Sequence, residues 1–234
     1  MRIAYLTHQY FPRHVGGTEI LTRGYARHCR KLGHEVIVLT YRDAEPGDTC
    51  ITQTEHDGIE VIEVHGNQGH VSDWKRAEFD NPDISQRVCP ELESFCPDVV
   101  HVMHSMKLSG AVLNLCHELG FPVVVTLCDF WFVCPRHTLM TWDGKLCPGP
   151  AKPLSCVNCL SDLHGLPSLK DLGPPRPALR PWKWMRKWAG RATETIEYFR
   201  QLKDRNPFLR DAVLRSKRII ALTDFQKRMF VSNG

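Results

Sequence analysis

The sequence predicts an α/β fold with a doubly wound, mostly parallel sheet, into which a cysteine-rich loop is inserted. Short apolar segments alternate with segments of helical periodicity along much of the 234 residues, as in sheets whose crossovers are helices. Most of the apolar segments lack a polar-apolar alternation, which indicates strands buried on both faces. Four cysteines follow one of these segments, in a loop with too much Gly and Pro to form a core of its own.

The first 40 residues predict a βαβ unit. Arg2 to Thr7 is a short buried strand, and His8 to Gly17 is a loop that contains Pro12 and paired glycines. A helix follows, for which Thr18 is the predicted N-cap and Gly33 the C-terminal stop. The apolar run from Val36 to Thr40 is the second strand, so the unit opens a parallel sheet.

The same alternation continues to the end of the chain. Further strands are predicted at Ile59 to Val64, Asp98 to Met103, Phe121 to Leu127 and Arg218 to Leu222. Helices are predicted at residues 81–95, 108–119, 182–202 and 224–233. The alternating segment IEVIEV, Ile59 to Val64, is typical of a half-exposed strand and is expected at a sheet edge.

The charge is unevenly distributed. Hydrophobic residues make up 42% and charged residues 24% of the chain, as is ordinary for a soluble globular protein. The formal net charge is +4, but Arg176 to Arg218 has 13 basic against 4 acidic residues. The tryptophans in RPWKWMRKWAGR favour association with an anionic membrane surface. The alternative is an ordinary amphipathic helix packed on the sheet. Nucleic acid is not expected, because no nucleic-acid-binding signature accompanies the basic residues.

No secretory signal or membrane span is visible. The apolar stretch Ile3 to Thr7 is too short for a signal peptide, and nothing approaches the ~18 apolar residues of a spanning helix. The expected compartment is the cytoplasm, where cysteines stay reduced and their clusters indicate metal binding or catalysis before disulfides.

The first candidate site is the glycine turn between the first strand and helix. Gly16 and Gly17, with Thr18 and Glu19 beside them, would let backbone N–H groups approach a phosphate at the helix N-terminus. A tight βα turn without a ligand is the alternative. NAD is disfavoured, because Thr40 stands at the end of the second strand, where a dinucleotide site has an acidic residue.

Two histidines lie near the carboxyl end of the strand DVVHVM. His101 is within the strand and is interpreted as a core histidine, whereas His104 lies just past its end. Ligands of open α/β sheets collect at that edge, so His104 is the candidate for a polar contact.

The four-cysteine set has the spacing C-x12-C-x8-C-x2-C. Cys134, Cys147, Cys156 and Cys159 would supply the four thiolates of a structural zinc site. The alternatives are an iron–sulfur cluster with the same ligands, a redox pair at Cys156 and Cys159, and unrelated buried thiols.

Four segments, taken together, resemble the N-terminal domain of family 4 glycosyltransferases, which are retaining enzymes of the GT-B fold. They are MRIAYLTHQYFPRHVGGTEILTRGYARHCRKLGHEVIVLT, PDVVHVMH, GFPVVVTLCDFWFVCPR and RIIALTDFQKRMFVSNG. A subset of such enzymes also carries a cysteine loop after the Asp-Phe-Trp segment. The resemblance implies one Rossmann-like domain over residues 1–234, including the cysteine-rich loop at 128–165 and the basic Trp-rich helical segment at 176–205.

The resemblance also implies a function. The family transfers a sugar from a nucleotide-sugar to an acceptor in the cleft between two domains. This chain would be the half that holds a saccharide or lipid-linked acceptor, with the C-terminal donor domain absent, and it would be inactive alone. Gly16, Gly17, Thr18, Glu19, His104 and Asp129 are the implied substrate and diphosphate contacts. A zinc-stapled interaction module without catalysis is the alternative.

One position departs from the family pattern. Members of the subset read His-Asp-Phe-Trp where this chain has Cys128 before Asp129. A thiol does not reproduce the hydrogen bonds of an imidazole. Either the role has moved, with His104 as the candidate, or this member has an unusual or weakened activity, and no catalytic residue is assigned firmly.

Overall fold

The computed structural model describes residues 1–67, 74–149, 155–157, 159–160 and 181–234, without the side chains of 74, 75, 181–195 and 198. Two compact units are present. The first is Met1–Cys128 with Phe208–Lys227, and the second is Asp129–Pro207 with Arg228–Gly234. The assignment of residues 1–234 to one domain stays a prediction.

The secondary structure alternates as the sequence predicts. The strands are β1 (Arg2–Thr7), β2 (Glu35–Asp43), β3 (Ile51–His56), β4 (Ile59–Gly66), β5 (Val99–Val102), β6 (Val123–Leu127) and β7 (Arg218–Ala221). The helices are α1 (Gly17–Lys31), α2 (Trp74–Ala77), α3 (Pro82–Phe95), α4 (Gly110–Glu118), α5 (Pro181–Leu214) and α6 (Asp224–Ser232).

All seven strands belong to the first unit and form one sheet in the order β3-β4-β2-β1-β5-β6-β7. Every neighbouring pair is parallel except β3 with β4. The central residues Val38, Val100 and Val125 are fully buried, as expected where helices cover both faces. The predicted Rossmann-like α/β fold with a mostly parallel sheet is therefore confirmed.

The strand order reverses between β1 and β5. The chain passes from β1 outward to β2 and β4, and then returns to β5 on the other side of β1. Leu6 pairs with Val102 across this junction, so β1 and β5 end at the same edge. Ligands of open α/β sheets bind outside the carboxyl ends of the strands at such a switch point.

The predicted sheet edge is wrong. Strand β4 lies inside the sheet, and the edge is β3, an antiparallel strand that the sequence analysis missed. The alternation in IEVIEV is misleading because Glu63 is buried, although Glu60 is exposed. Glu63 is accommodated by ion pairs with Arg13 at 3.5 Å and Arg42 at 3.3 Å.

Two helices differ from their predicted bounds. Helix α1 begins at Gly17 and its N-cap is Gly16, without a side-chain cap, so Thr18 is not the N-cap. Helix α5 continues to Leu214, beyond the predicted end at Leu202, and includes Pro207. In the described part of the chain, no helix is long and apolar enough to span a membrane.

The second unit contains the described part of the cysteine loop. Met140 and Leu146 form an isolated antiparallel bridge, and the Cys147 N–H donates to the Leu139 carbonyl at 2.7 Å. Residues 150–154, 158 and 161–165 of the predicted insertion at 128–165 lie outside the described residues. The same holds for residues 176–180 of the basic segment and for the side chains of 181–195, which include its tryptophans.

Candidate functional site

The glycine turn before α1 has an extended backbone at Gly16 and open space beside Gly17, so that a ligand can come close to its backbone. Gly16 precedes α1 with extended backbone, and its carbonyl accepts the Ile20 N–H at 3.0 Å. A Cβ at Gly16 would lie 2.5 Å from Oε2 of Glu19, because this carboxylate folds back under the turn. A Cβ at Gly17 would meet nothing within 4 Å. Gly17 therefore leaves open space in front of the helix N-terminus.

Glu19 is a buried carboxylate in the first turn of α1. Its residue surface is 4% exposed, and its Oε1 lies 3.7 Å from Nε2 of His8. A negative charge is favoured here because the first turn of a helix presents unpaired N–H groups and the positive end of the helix dipole. Glu19 is thereby placed between the turn and the end of β1.

His8 and His104 meet at the switch point. Their ring centroids are 4.3 Å apart, and His104 is only 2% exposed. Nδ1 of His104 accepts the Met106 N–H at 3.1 Å, so its neutral ring carries the proton on Nε2. The sequence analysis missed His8. Its signal is its place directly after β1, because the parallel neighbour β5 ends beside it and leads to His104.

His101 belongs to the core, as the sequence analysis interpreted it. Its Nε2 lies 2.8 Å from the Thr126 hydroxyl, and its ring packs against Tyr5 and Tyr25. Burial lowers the pKa of His101 to about 4, so the ring is neutral at physiological pH.

Cys128 and Asp129 end the first unit and begin the second. Cys128 is half-buried against the apolar cluster that contains Tyr5 and Met103. Oδ1 of Asp129 accepts the Trp131 N–H at 2.8 Å, and this bond shapes the turn that follows.

The four predicted zinc ligands are free, half-buried thiols. The Gly149 N–H donates to Sγ of Cys147 at 3.4 Å, and Arg136 donates to the Cys159 carbonyl at 2.7 Å. Burial, and then the charges of Cys134, Cys147 and Cys159, raises the pKa of Cys156 to about 12. The thiol of Cys156 is thus within range of the charges of the other three cysteines.

The described arrangement gives no support for a metal site. In the described parts of the chain, no group of three or more His, Cys, Asp or Glu side chains is positioned to hold a metal ion. The prediction of structural zinc at Cys134, Cys147, Cys156 and Cys159 is therefore not supported.

The sequence of this chain matches the model of a known protein family. The model of the glycosyl transferase 4-like domain matches residues 16–155, which is more than half of the chain. The chain belongs to the glycosyl transferase 4-like family. The matched range begins at the glycine turn and extends into the cysteine loop, so the predicted family is confirmed. The four-cysteine subset is not confirmed.

Solved structures share limited similarity with this glycosyl transferase 4-like domain. One is trehalose-6-phosphate from E. coli bound with UDP-2-fluoro glucose, at 11% identity and a TM-score of 0.38, covering 57% of this chain and 33% of that one. A second is the catalytic domain of starch synthase IV from Arabidopsis thaliana with ADP and acarbose, at 13% identity and a TM-score of 0.39, covering 55% and 34%.

A third is sucrose-phosphate synthase from Thermosynechococcus elongatus, at 14% identity and a TM-score of 0.36, covering 53% of this chain and 32% of that one. The glycosyl transferase 4-like chain thus spans about a third of the length of these structures. No curated protein matches its sequence.

Proposed function

We propose that this chain is the acceptor-side, N-terminal domain of a retaining glycosyltransferase of the GT-B type, which uses a nucleotide-sugar and a saccharide or lipid-linked acceptor. The proposal depends on one observation above all. The family match begins at the Gly16–Gly17 turn, and this turn lies open at the N-terminus of α1 beside the switch point.

The turn suits the diphosphate of the donor. Backbone N–H groups and the helix dipole favour an anion in front of Gly17, and no side chain fills that space. Thr18 is half-buried next to it, and its carbonyl accepts the Thr22 hydroxyl at 2.7 Å. Thr18 therefore belongs to the helix framework, and its backbone N–H is the group it would offer a ligand.

The histidine pair suits the transferred sugar. His8 and His104 present polar ring atoms at the carboxyl ends of β1 and β5, next to the position where Cys128 replaces the family histidine. We propose that His104, oriented by the Met106 N–H and packed against His8, supplies the contact that Cys128 does not. Asp129 is proposed as a further substrate contact by its place in the motif.

Activity is proposed to need the C-terminal donor domain. We expect the 234-residue chain alone to show no turnover of any nucleotide-sugar, and the chain joined to a C-terminal donor domain to transfer sugar. Turnover by the chain alone would contradict the proposed inactivity. Absence of transfer by the joined protein would favour the interaction module without catalysis.

The role of the glycine turn is tested with two matched variants of the joined protein. Gly17 and Gly24 both lie in α1, and a Cβ at either would meet nothing within 4 Å. We expect Gly17→Leu to lower kcat/KM at least about a hundredfold, or about 2.7 kcal/mol, because the side chain fills the diphosphate space. Gly24→Leu should keep activity and should not lower Tm, since leucine is a better helix former than glycine. Equal activities of the two variants would refute a diphosphate at Gly17.

Peripheral membrane association stays a prediction. The basic residues of 176–205 motivate it, and electrostatic attraction to anionic lipid is lost as salt rises. We expect the chain to co-sediment with phosphatidylglycerol-containing vesicles at low salt and not with phosphatidylcholine vesicles. No co-sedimentation with either vesicle would remove the membrane from the proposal.

A further inference from the structure

A cavity lies in the first unit, among residues that the sequence analysis did not single out. Its volume is about 190 Å³, which equals roughly six waters at about 30 Å³ each and matches a single sugar ring better than an oligosaccharide. Its lining includes Tyr41, Asp48, Gly66, Asn67, Asp83 and Arg87.

The cavity is placed where α/β sheets bind ligands. Tyr41 is in β2, Gly66 is the last residue of β4, and Asp83 is in the first turn of α3. The carboxyl ends of two parallel neighbours and a helix start therefore enclose the space. None of the lining residues belongs to the glycine turn or to the histidine pair.

One wall is a fixed, ionised carboxylate. Oδ2 of Asp48 accepts from Nδ1 of His65 at 2.9 Å, and Oδ1 accepts the Cys50 N–H at 3.0 Å. These hydrogen bonds, first that of His65, lower the pKa of Asp48 to about 2. Nε2 of the buried His65 lies 3.4 Å from Nη1 of Arg42. Because a guanidinium only donates, Nε2 accepts here, and the neutral tautomer of His65 with its proton on Nδ1 fits both Arg42 and Asp48.

The lining also includes one cation, Arg87, whose two terminal nitrogens are hydrogen-bonded within the protein. Nη1 of Arg87 donates to the carbonyls of Thr49 at 3.2 Å and His65 at 2.5 Å. Its Nη2 donates to Oδ2 of Asp83 at 2.8 Å. The guanidinium thus locks the loop at 47–49 to β4 and α3, and the charge of Asp83 balances its own.

The remaining lining is aromatic and polar. A Cβ at Gly66 would lie 2.9 Å from the Tyr41 ring, so the glycine lets this ring pack against the end of β4. Nδ2 of Asn67 donates to the Ala44 carbonyl at 2.9 Å, which fixes the amide at the rim. A preformed space with an aromatic wall and a few fixed polar groups is typical of a small-molecule site.

We propose that this cavity binds one sugar ring of the acceptor, neutral or bearing an amino group, and rejects rings that carry a carboxylate or a phosphate. Hydroxyl or ammonium groups would donate to the carboxylates of Asp48 and Asp83. An anionic ring would face Asp48, and Arg87, the cation among the described lining residues, is already ion-paired with Asp83. The proposal rests on the proposed function and names the substrate class for its acceptor.

The test uses the 234-residue chain and four simple probes. Methyl α-glucopyranoside, glucosamine, glucuronate and glucose 6-phosphate are titrated separately while amide resonances are followed by NMR. We expect the first two to shift the resonances of residues 47–49 and 66–67, and the two anions to bind at least about tenfold more weakly, or about 1.4 kcal/mol. Anions that bind as tightly as the neutral ring, or no shift with any probe, would overturn the proposal.

A conservative variant separates binding from folding. Asp48→Asn keeps an oxygen for the His65 bond but removes the charge, so glucosamine should lose at least about fivefold in affinity and the rejection of glucuronate should weaken. Asp143→Asn, in the second unit, is the matched control, because Asp143 is ion-paired to Lys145 outside the cavity. Equal effects of the two substitutions would contradict the role of Asp48.

The outcomes also distinguish this inference from the proposed function. Sugar binding in the cavity is measured without a nucleotide, whereas the Gly17→Leu comparison measures transfer. Binding without transfer by the joined protein would refute the glycosyltransferase proposal and leave the cavity as a sugar site. Transfer without binding of any probe would refute sugar binding in the cavity and leave the glycosyltransferase proposal intact.

Discussion

Replacing Gly110 with alanine is expected to destabilise the first unit by about 1–3 kcal/mol, the range for overpacked cores. Gly110 begins α4, where its N–H donates to the Phe79 carbonyl at 2.8 Å. A Cβ there would lie 2.6 Å from Cδ2 of Leu209, 3.0 Å from the Phe79 oxygen and 3.1 Å from the Phe208 ring. Leu209 is fully buried, so it cannot move aside into solvent.

Gly24→Ala is the matched control and should have the opposite sign. Gly24 is an exposed residue inside α1, and a Cβ there would meet nothing within 4 Å. Alanine should stabilise this helix by about 0.5–1 kcal/mol, because glycine loses more backbone freedom on folding.

The pair is measured by urea unfolding followed by circular dichroism, with equal m-values as the condition for comparing free energies. A stabilised Gly110→Ala variant would mean that α4 and the end of α5 are not in close contact. A destabilised Gly24→Ala variant would mean that α1 is not exposed on this face.

The sheet was largely predictable because its central strands are buried on both faces. Short apolar segments such as Val36 to Thr40 are typical of strands buried on both faces, and their alternation with helices predicts a parallel sheet. The edge was not predictable from periodicity. Glu63 alternates with apolar residues as an exposed side chain would, but Arg13 and Arg42 neutralise it inside the sheet.

The candidate site was predictable only in part, for a related reason. Gly16 and Gly17 can be recognised from the local sequence, since a glycine pair between a strand and a helix has few structural roles. The partnership of His8 with His104 depends on β1 and β5 being neighbours, which requires the strand order. The cavity beside Asp48 brings together residues from β2, β4 and α3, and no short segment contains its pattern.

The cysteine loop shows the limit of spacing as evidence. C-x12-C-x8-C-x2-C is compatible with four thiolates on one metal, yet the described thiols form no such group. The sequence analysis expected zinc to stabilise this loop. Within the second unit, the buried guanidinium of Arg205 is a different stabilising group near these cysteines. Arg205 is 2% exposed, and its charge lowers the pKa of Cys134 and of Cys156 against the larger effect of burial.

Arg205→Ala is therefore expected to destabilise the second unit by roughly 3 kcal/mol, from a lost charged hydrogen bond and a lost cation–π contact. Nη2 of Arg205 donates to the Trp131 carbonyl at 2.6 Å, and its guanidinium carbon lies 5.0 Å from the centroid of the Trp131 ring. Trp131 is itself fully buried. Without the guanidinium, its carbonyl would stay buried and lose this donor.

Arg200→Ala is the control from the same helix. Arg200 is exposed and lies 3.9 Å from Glu197, and an exposed pair of this kind contributes at most about 1 kcal/mol. Hydrogen exchange of residues 129–147 measures the second unit separately from the sheet. We expect much faster exchange in Arg205→Ala, intermediate exchange in Arg205→Lys, which keeps the charge but loses the planar fork, and unchanged exchange in Arg200→Ala. If all three variants exchange like the original chain, Arg205 does not hold the loop.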